Sequence, residues 1–229
     1  MPRELLIATH NADKLREIGR LLAPVGWRVR AAAEAGMTEA PIEDADTFEG
    51  NARIKALAGW RASGLPSVGD DSGLCVDALG GTPGVYSSRF GGRAGDHEAN
   101  NRLLLQRLEG VPEAARTARF VTTLVMAWGP DAPPAVLAHP THTRIDGAHV
   151  LRFEGTVEGR IALAPRGTQG FGYDPIFIPV PPARSGDEGP DGRHLAEYGL
   201  DEKNAISHRG VAFRALAAFL LALDNEAGR

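Results

Sequence analysis

Apolar positions along this chain change period in a way that predicts alternating strands and helices. Leu5 to Ala8 is a continuous apolar run, the pattern of a short strand buried on both faces. Past Thr9-His10-Asn11, residues Leu15, Ile18, Leu21 and Leu22 recur at helical spacing, with Asn11 or Thr9 placed to cap the first turn. A second helix is predicted over about Thr47 to Ala62, with Leu57 and Trp60 inward, Asn51 and Lys55 one turn apart, and Gly50 where a capping box would carry an acid. Gly69-Asp70-Asp71-Ser72-Gly73 reads as a turn, Leu74–Leu79 as a strand and Gly80–Gly84 as a flexible loop. Asp96–Glu109 follows as a helix and Arg119–Trp128 as a strand. Pro133–Ile161 reads as extended pieces broken by turns, Pro181–Gly192 as a candidate mobile loop, and Ser207–Leu223 as an amphipathic helix. This order favours a mixed α/β architecture over a doubly wound sheet.

Composition narrows the function classes. At 229 residues the chain is one large domain or two small lobes, and with 43% hydrophobic and 24% charged residues it is expected to fold over most of its length. A formal net charge of −4 argues against a broad grip on nucleic acid, yet leaves room for a local basic pocket that takes a phosphorylated small molecule. The single cysteine, Cys75, excludes an internal disulfide and fits a reducing compartment. The Leu5–Ala8 run is too short for a signal-peptide core, and no uninterrupted apolar run reaches the roughly 18 residues of a membrane span. A cytoplasmic protein with no membrane partner is the expectation.

Several chemistries are absent from the sequence: no P-loop, no H-E-x-x-H, no paired C-x-x-C. The one G-x-G, at Gly170–Gly172, meets Pro175 where a dinucleotide fingerprint needs glycine. His139 and His142, with His149 nearby, read as solvated histidines or, less favourably, as a zinc site. Four segments remain. Thr9, His10, Asn11, Ala12, Asp13 and Lys14 place hydroxyl, amide, backbone N–H and ammonium donors at a strand–helix junction, suited to an anion or simply to capping. Glu43 precedes the helix that carries Lys55 and by itself reads as a surface acid more readily than as a ligand. The Asp70-Asp71-Ser72 segment is a solvated turn or a pair of carboxylates for a hard cation or a proton. Gly170-Phe171-Gly172-Tyr173-Asp174-Pro175, with Lys203, His208 and Arg209, could set a flat ring on Phe171 beside cationic donors, or could be core aromatics in a hairpin. Acids in one place and scattered cations in others suggest a nucleotide or polyphosphate site.

Taken in order, Thr9-x-Asn11-x-x-Lys14-x-x-Glu17, Asp70-Asp71-Ser72-Gly73-Leu74, Gly80-Gly81-x-Pro83-Gly84-Val85-Tyr86-Ser87, Gly170-Phe171-Gly172-Tyr173-Asp174-Pro175 and Glu202-Lys203-Asn204-x-Ile206-Ser207-His208-Arg209-Gly210 span nearly the whole chain. The set resembles the motifs of the inosine/xanthosine triphosphate pyrophosphatase family. The resemblance implies one domain over 1–229, with a mixed central β-sheet and flanking helices forming two lobes around a nucleotide cleft. It implies Mg²⁺-dependent hydrolysis of ITP, dITP and XTP to the monophosphate and pyrophosphate by a homodimer. On this chain Asp71 would be the general base, Asp71 or its neighbour Asp70 would approach the metal with Glu43 as the second metal carboxylate, and Asp70 would be the supporting or metal-facing acid. Thr9, Asn11, Lys14 and Lys55 would hold the triphosphate, and Ser72, Phe171, Tyr173, Asp174, Lys203, His208 and Arg209 would shape the base pocket. His10, Gly50 and the 131–155 stretch depart from the family pattern. Three other readings stay open: a related pyrophosphatase acting on a modified pyrimidine nucleotide, a nucleotide-binding module without catalysis, and a serine hydrolase using Ser72 and His208, which lacks the G-x-S-x-G spacing.

Overall fold

The early strand–helix alternation is realised around a mixed seven-stranded sheet in a computed structural model that describes residues 3–180 and 192–227. Its order is β2 (Arg28–Ala31), β1 (Glu4–Ile7), β3 (Ser67–Val76), β4 (Thr117–Trp128), β6 (Ala148–Ile161), β5 (Thr143–Ile145), with β7 (Phe177–Pro179) also on β6. Strand β1 runs parallel to β2 and β3, and β5 and β7 run antiparallel to β6. The helices are α1 (Ala12–Leu22), α2 (Phe48–Ser63), α3 (His97–Arg107), α4 (Pro134–Leu137), α5 (Leu200–Ile206) and α6 (His208–Ala227). Among the described residues no single helix is long and apolar enough to cross a membrane.

The chain divides into two compact units, and β3, β4 and β6 contribute residues to both. The first comprises Met1–Asp71, Thr122–Glu154 and Val211–Arg229. Its core buries Leu5 and Ile7 of β1, Ile18 of α1, Met126 of β4, and Phe213 and Leu216 of α6. Helix α2 approaches β3 closely enough to exclude a side chain: a Cβ on Gly69 would lie 2.0 Å from the Ala52 carbonyl oxygen and 2.8 Å from the Ala56 nitrogen. The second unit comprises Ser72–Val121 and Gly155–Gly210, and is built on Leu74, Leu104, Phe120, Ile176 and Phe177, with the Phe120 and Phe177 rings 4.7 Å apart.

Three expectations need correction. The Gly69–Gly73 segment is the middle of strand β3, with Asp70 and Asp71 both buried. Glycines suggested a turn, but here Gly69 admits close backbone packing, and the carboxylates tolerate burial because each meets a lysine. The strand expected over Leu74–Leu79 ends at Val76, and the loop after it is hydrogen-bonded, with Gly81 N–H donating to the Val76 carbonyl at 2.9 Å and Val76 N–H to that of Thr82 at 3.2 Å. The Pro133–Ile161 stretch, read as extended pieces broken by turns, includes the short helix α4 (Pro134–Leu137), and within it His142 and His149 hydrogen-bond each other at 2.9 Å. The loop expected at Pro181–Gly192 lies, except for Gly192, outside the described residues.

Candidate active site

In the first unit the sequence places an acid pair on a strand and delivers cations from two helices. Asn11 caps α1, its Oδ1 accepting from Asp13 N–H at 2.9 Å and Lys14 N–H at 3.1 Å, while Asn11 N–H donates to Thr9 Oγ1 at 3.2 Å. That cap fixes the first turn of α1, and from it Lys14 Nζ reaches Asp70 Oδ2 at 3.3 Å. Successive side chains on a strand point to opposite faces, so Asp71 meets a different partner. Lys55, from α2, donates to Asp71 Oδ1 at 3.0 Å and to Glu43 Oε2 at 2.8 Å. Asn51, one turn earlier, donates from Nδ2 to Asp71 Oδ2 at 3.4 Å and accepts from Ala45 N–H at 3.0 Å. Thr47 caps α2 through Gly50 N–H at 3.0 Å, so the helix start is intact despite the glycine. Glu43 is a third exposed and is the open side of this group.

His10 and Asp13, which the sequence grouped with these donors, are engaged elsewhere: His10 Nε2 donates to the Met37 carbonyl at 2.9 Å, and Asp13 pairs with Arg16 at 2.9 Å. Ala12 is the exposed first residue of α1. Thr9, Asn11, Lys14, Glu43, Lys55 and Asp71 all lie in this unit. Asn51 was not among the predicted site residues, although its spacing four residues before Lys55 was the available signal.

Burial pushes the Asp71 carboxyl above the ordinary carboxylate range, and Lys55 and Lys14 only partly oppose that shift. Burial works in the opposite sense on the Lys55 ammonium, but Asp71 and Glu43 outweigh it and raise its pKa, so it stays protonated. The group therefore holds a charged lysine between carboxylates, one of which readily accepts a proton.

The second unit carries the ring-binding candidates. Phe171 is held by its backbone: Asp174 Oδ2 accepts from Phe171 N–H at 2.8 Å and from Lys203 Nζ at 2.6 Å. Gly170 is required there, since its φ is +74° and a Cβ would lie 2.1 Å from Asp174 Oδ2. Lys203 Nζ stands 4.9 Å and the Arg209 guanidinium 5.6 Å from the Phe171 ring centroid, within cation–π range. Arg209 also donates to Ser72 Oγ at 3.3 Å. Burial raises the Tyr173 pKa, and its hydroxyl donates to the Ser87 carbonyl at 2.9 Å. The carbonyl of Gly172 accepts from Asn101 of α3 at 3.0 Å, a support the sequence did not reveal. His208 stacks on Phe120 with centroids 4.6 Å apart and planes 9° from parallel. The motif is thus a short 3₁₀ segment (Asp174–Ile176) and the turn before it, not a hairpin.

These groups can bind a polyanion, hold a cation between two carboxylates, accept a proton on Asp71 and present an aromatic face beside two cations. A family profile described as the Ham1 family matches residues 5–219. The chain is 45% identical over 213 residues to a dITP/XTP pyrophosphatase of Thermus thermophilus, covering 93% of this chain and 89% of that protein. It is 41% identical over 218 residues to the dITP/XTP pyrophosphatase of Bacillus subtilis, covering 95% and 97%. The solved structure of a HAM1 protein from Coxiella burnetii superposes with a TM-score of 0.75 at 34% identity, covering 95% of this chain and 98% of that one. The chain belongs to the Ham1 family.

Proposed function

We propose that this protein is a Mg²⁺-dependent pyrophosphatase that hydrolyses ITP, dITP and XTP to the nucleoside monophosphate and pyrophosphate. The observation that carries the reading is the convergence of Asp71, Glu43, Lys55 and Asn51, with Lys14 on the neighbouring Asp70, in a chain 45% identical to a dITP/XTP pyrophosphatase. Asp71 takes the proton of a water whose oxygen attacks the α-phosphorus. The bond from that phosphorus to the bridging oxygen breaks, and pyrophosphate leaves with the electron pair. Lys14, Lys55 and the N–H groups at the start of α1 neutralise the charge that develops on it.

Glu43 and Asp71 already surround one cationic group, the Lys55 ammonium, and Mg²⁺ is commonly held by one or two carboxylates plus substrate phosphates, so the residues suit that ion. When bound, Mg²⁺ would acidify the attacking water and offset phosphate charge. In the second unit Phe171 would stack on the purine, while Lys203, Arg209 and His208 would supply donors to a 6-oxo group. Adenine presents an amino donor there and would leave them unpaired. In this reading the enzyme acts as a homodimer in the cytoplasm.

Separating the products formed from ITP, XTP, GTP, ATP and dUTP, with and without Mg²⁺, tests the assignment. IMP and pyrophosphate from ITP, with ATP turned over at least about a hundredfold more slowly, is the expected result. Inosine diphosphate with orthophosphate, or preferred turnover of dUTP, would contradict it.

A further inference from the structure

The position of Lys55 suggests that it has a second role, one that rests on the reading of Glu43 and Asp71 as metal ligands. We propose that in the free enzyme the Lys55 ammonium occupies the cation position between Glu43 and Asp71, and that a divalent cation takes this place only as the lysine transfers to an incoming triphosphate. Lys55 Nζ is 2.8 Å from Glu43 Oε2 and 3.0 Å from Asp71 Oδ1, and its side chain is 9% exposed. An ammonium that touches both carboxylates blocks a second cation there by charge and by volume. With the lysine in place the three groups carry one net negative charge, and a divalent ion added beside it would leave a net positive site.

The surroundings permit the exchange. Asp71 keeps its orientation when Lys55 leaves, because Asn51 holds the other carboxylate oxygen, Oδ2, at 3.4 Å. The α2 backbone is fixed against β3 at Gly69, so the movement belongs to the flexible four-carbon stem of the lysine. Glu43, a third exposed, leaves the group open to solvent on one side. Lys14 does not compete, since it is paired with Asp70. It follows that the metal binds weakly alone and strongly with nucleotide. By reciprocity the nucleotide binds more tightly in the presence of metal.

Mn²⁺ binding to the full-length protein, followed by the electron paramagnetic resonance of the free ion, tests this without turnover. Lys55→Met is expected to bind Mn²⁺ about tenfold or more tightly than wild type in the absence of nucleotide. Adding an α,β-methylene analogue of ITP should tighten Mn²⁺ binding to wild type by a similar factor and to the variant by much less. Lys55→Gln, which keeps a polar group at the position, provides the same comparison should the methionine variant fold poorly by circular dichroism. If both proteins bind Mn²⁺ equally without nucleotide, and Glu43→Gln weakens both, the proposed role of Lys55 is overturned while the metal site stands. If wild type binds no Mn²⁺ even with the analogue, the metal-site reading falls and this proposal with it.

Discussion

Asp71→Asn should lower kcat by about 10²–10⁴-fold, the usual contribution of a positioned general base, while leaving the protein folded. The amide is nearly isosteric but cannot take the proton from water. Its structural cost is limited because burial already disfavours the charged carboxylate at this position, and Lys55 retains Glu43 as a partner. Steady-state kinetics with ITP and a thermal melt separate the two effects. The expected result is lost turnover with a Tm within about 5 °C of wild type. A variant that turns over at near wild-type rate would remove Asp71 as the base. One that has lost its cooperative melt would show that Asp71 is needed for folding.

The largest stability effect is expected at Asp174. Its carboxylate and the Lys203 ammonium are 2.6 Å apart, with side chains only 3% and 4% exposed. Removing one member of such a pair takes the short carboxylate contact away from a buried ammonium, so Asp174→Ala should cost about 3–5 kcal/mol in urea unfolding. The substitution also frees the Phe171 N–H, and KM for ITP should rise in whatever fraction remains folded. Pairing it with Lys203→Met also removes the buried ammonium, and the double variant should recover a large part of the loss. Should Asp174→Ala cost less than about 1 kcal/mol, the value typical of a solvated pair, the buried pair would not be what holds the Phe171 turn.

Periodic segments were legible from residue pattern alone. The Leu5–Ala8 run, the Leu15/Ile18/Leu22 spacing and the Thr47 cap correspond to β1, α1 and α2, because each signal is local. Strands β2 and β7 and helices α4 and α5 were not found, being three to seven residues long with no room for a period to emerge. The acidic doublet misled for a different reason. Two adjacent aspartates beside glycines are turn residues by local preference, and only contacts 16 and 56 residues away in sequence, to Lys55 and Lys14, make them compatible with a buried strand. The ordered motifs named candidate site residues without showing how those residues are held. That Asp174 fixes Phe171 through its backbone, that Asn101 supports Gly172, and that Lys55 bridges two carboxylates are tertiary facts. His10 illustrates the opposite limit: it sits within a motif but bonds to Met37.

In the proposed reaction water attacks the α-phosphorus of the nucleotide. Hydrolysis of ITP in H₂¹⁸O, followed by mass spectrometry of both products, tests it directly. One ¹⁸O atom in IMP and none in the pyrophosphate is the expected result; label in the pyrophosphate, or label in orthophosphate released beside inosine diphosphate, would contradict attack at the α-phosphorus.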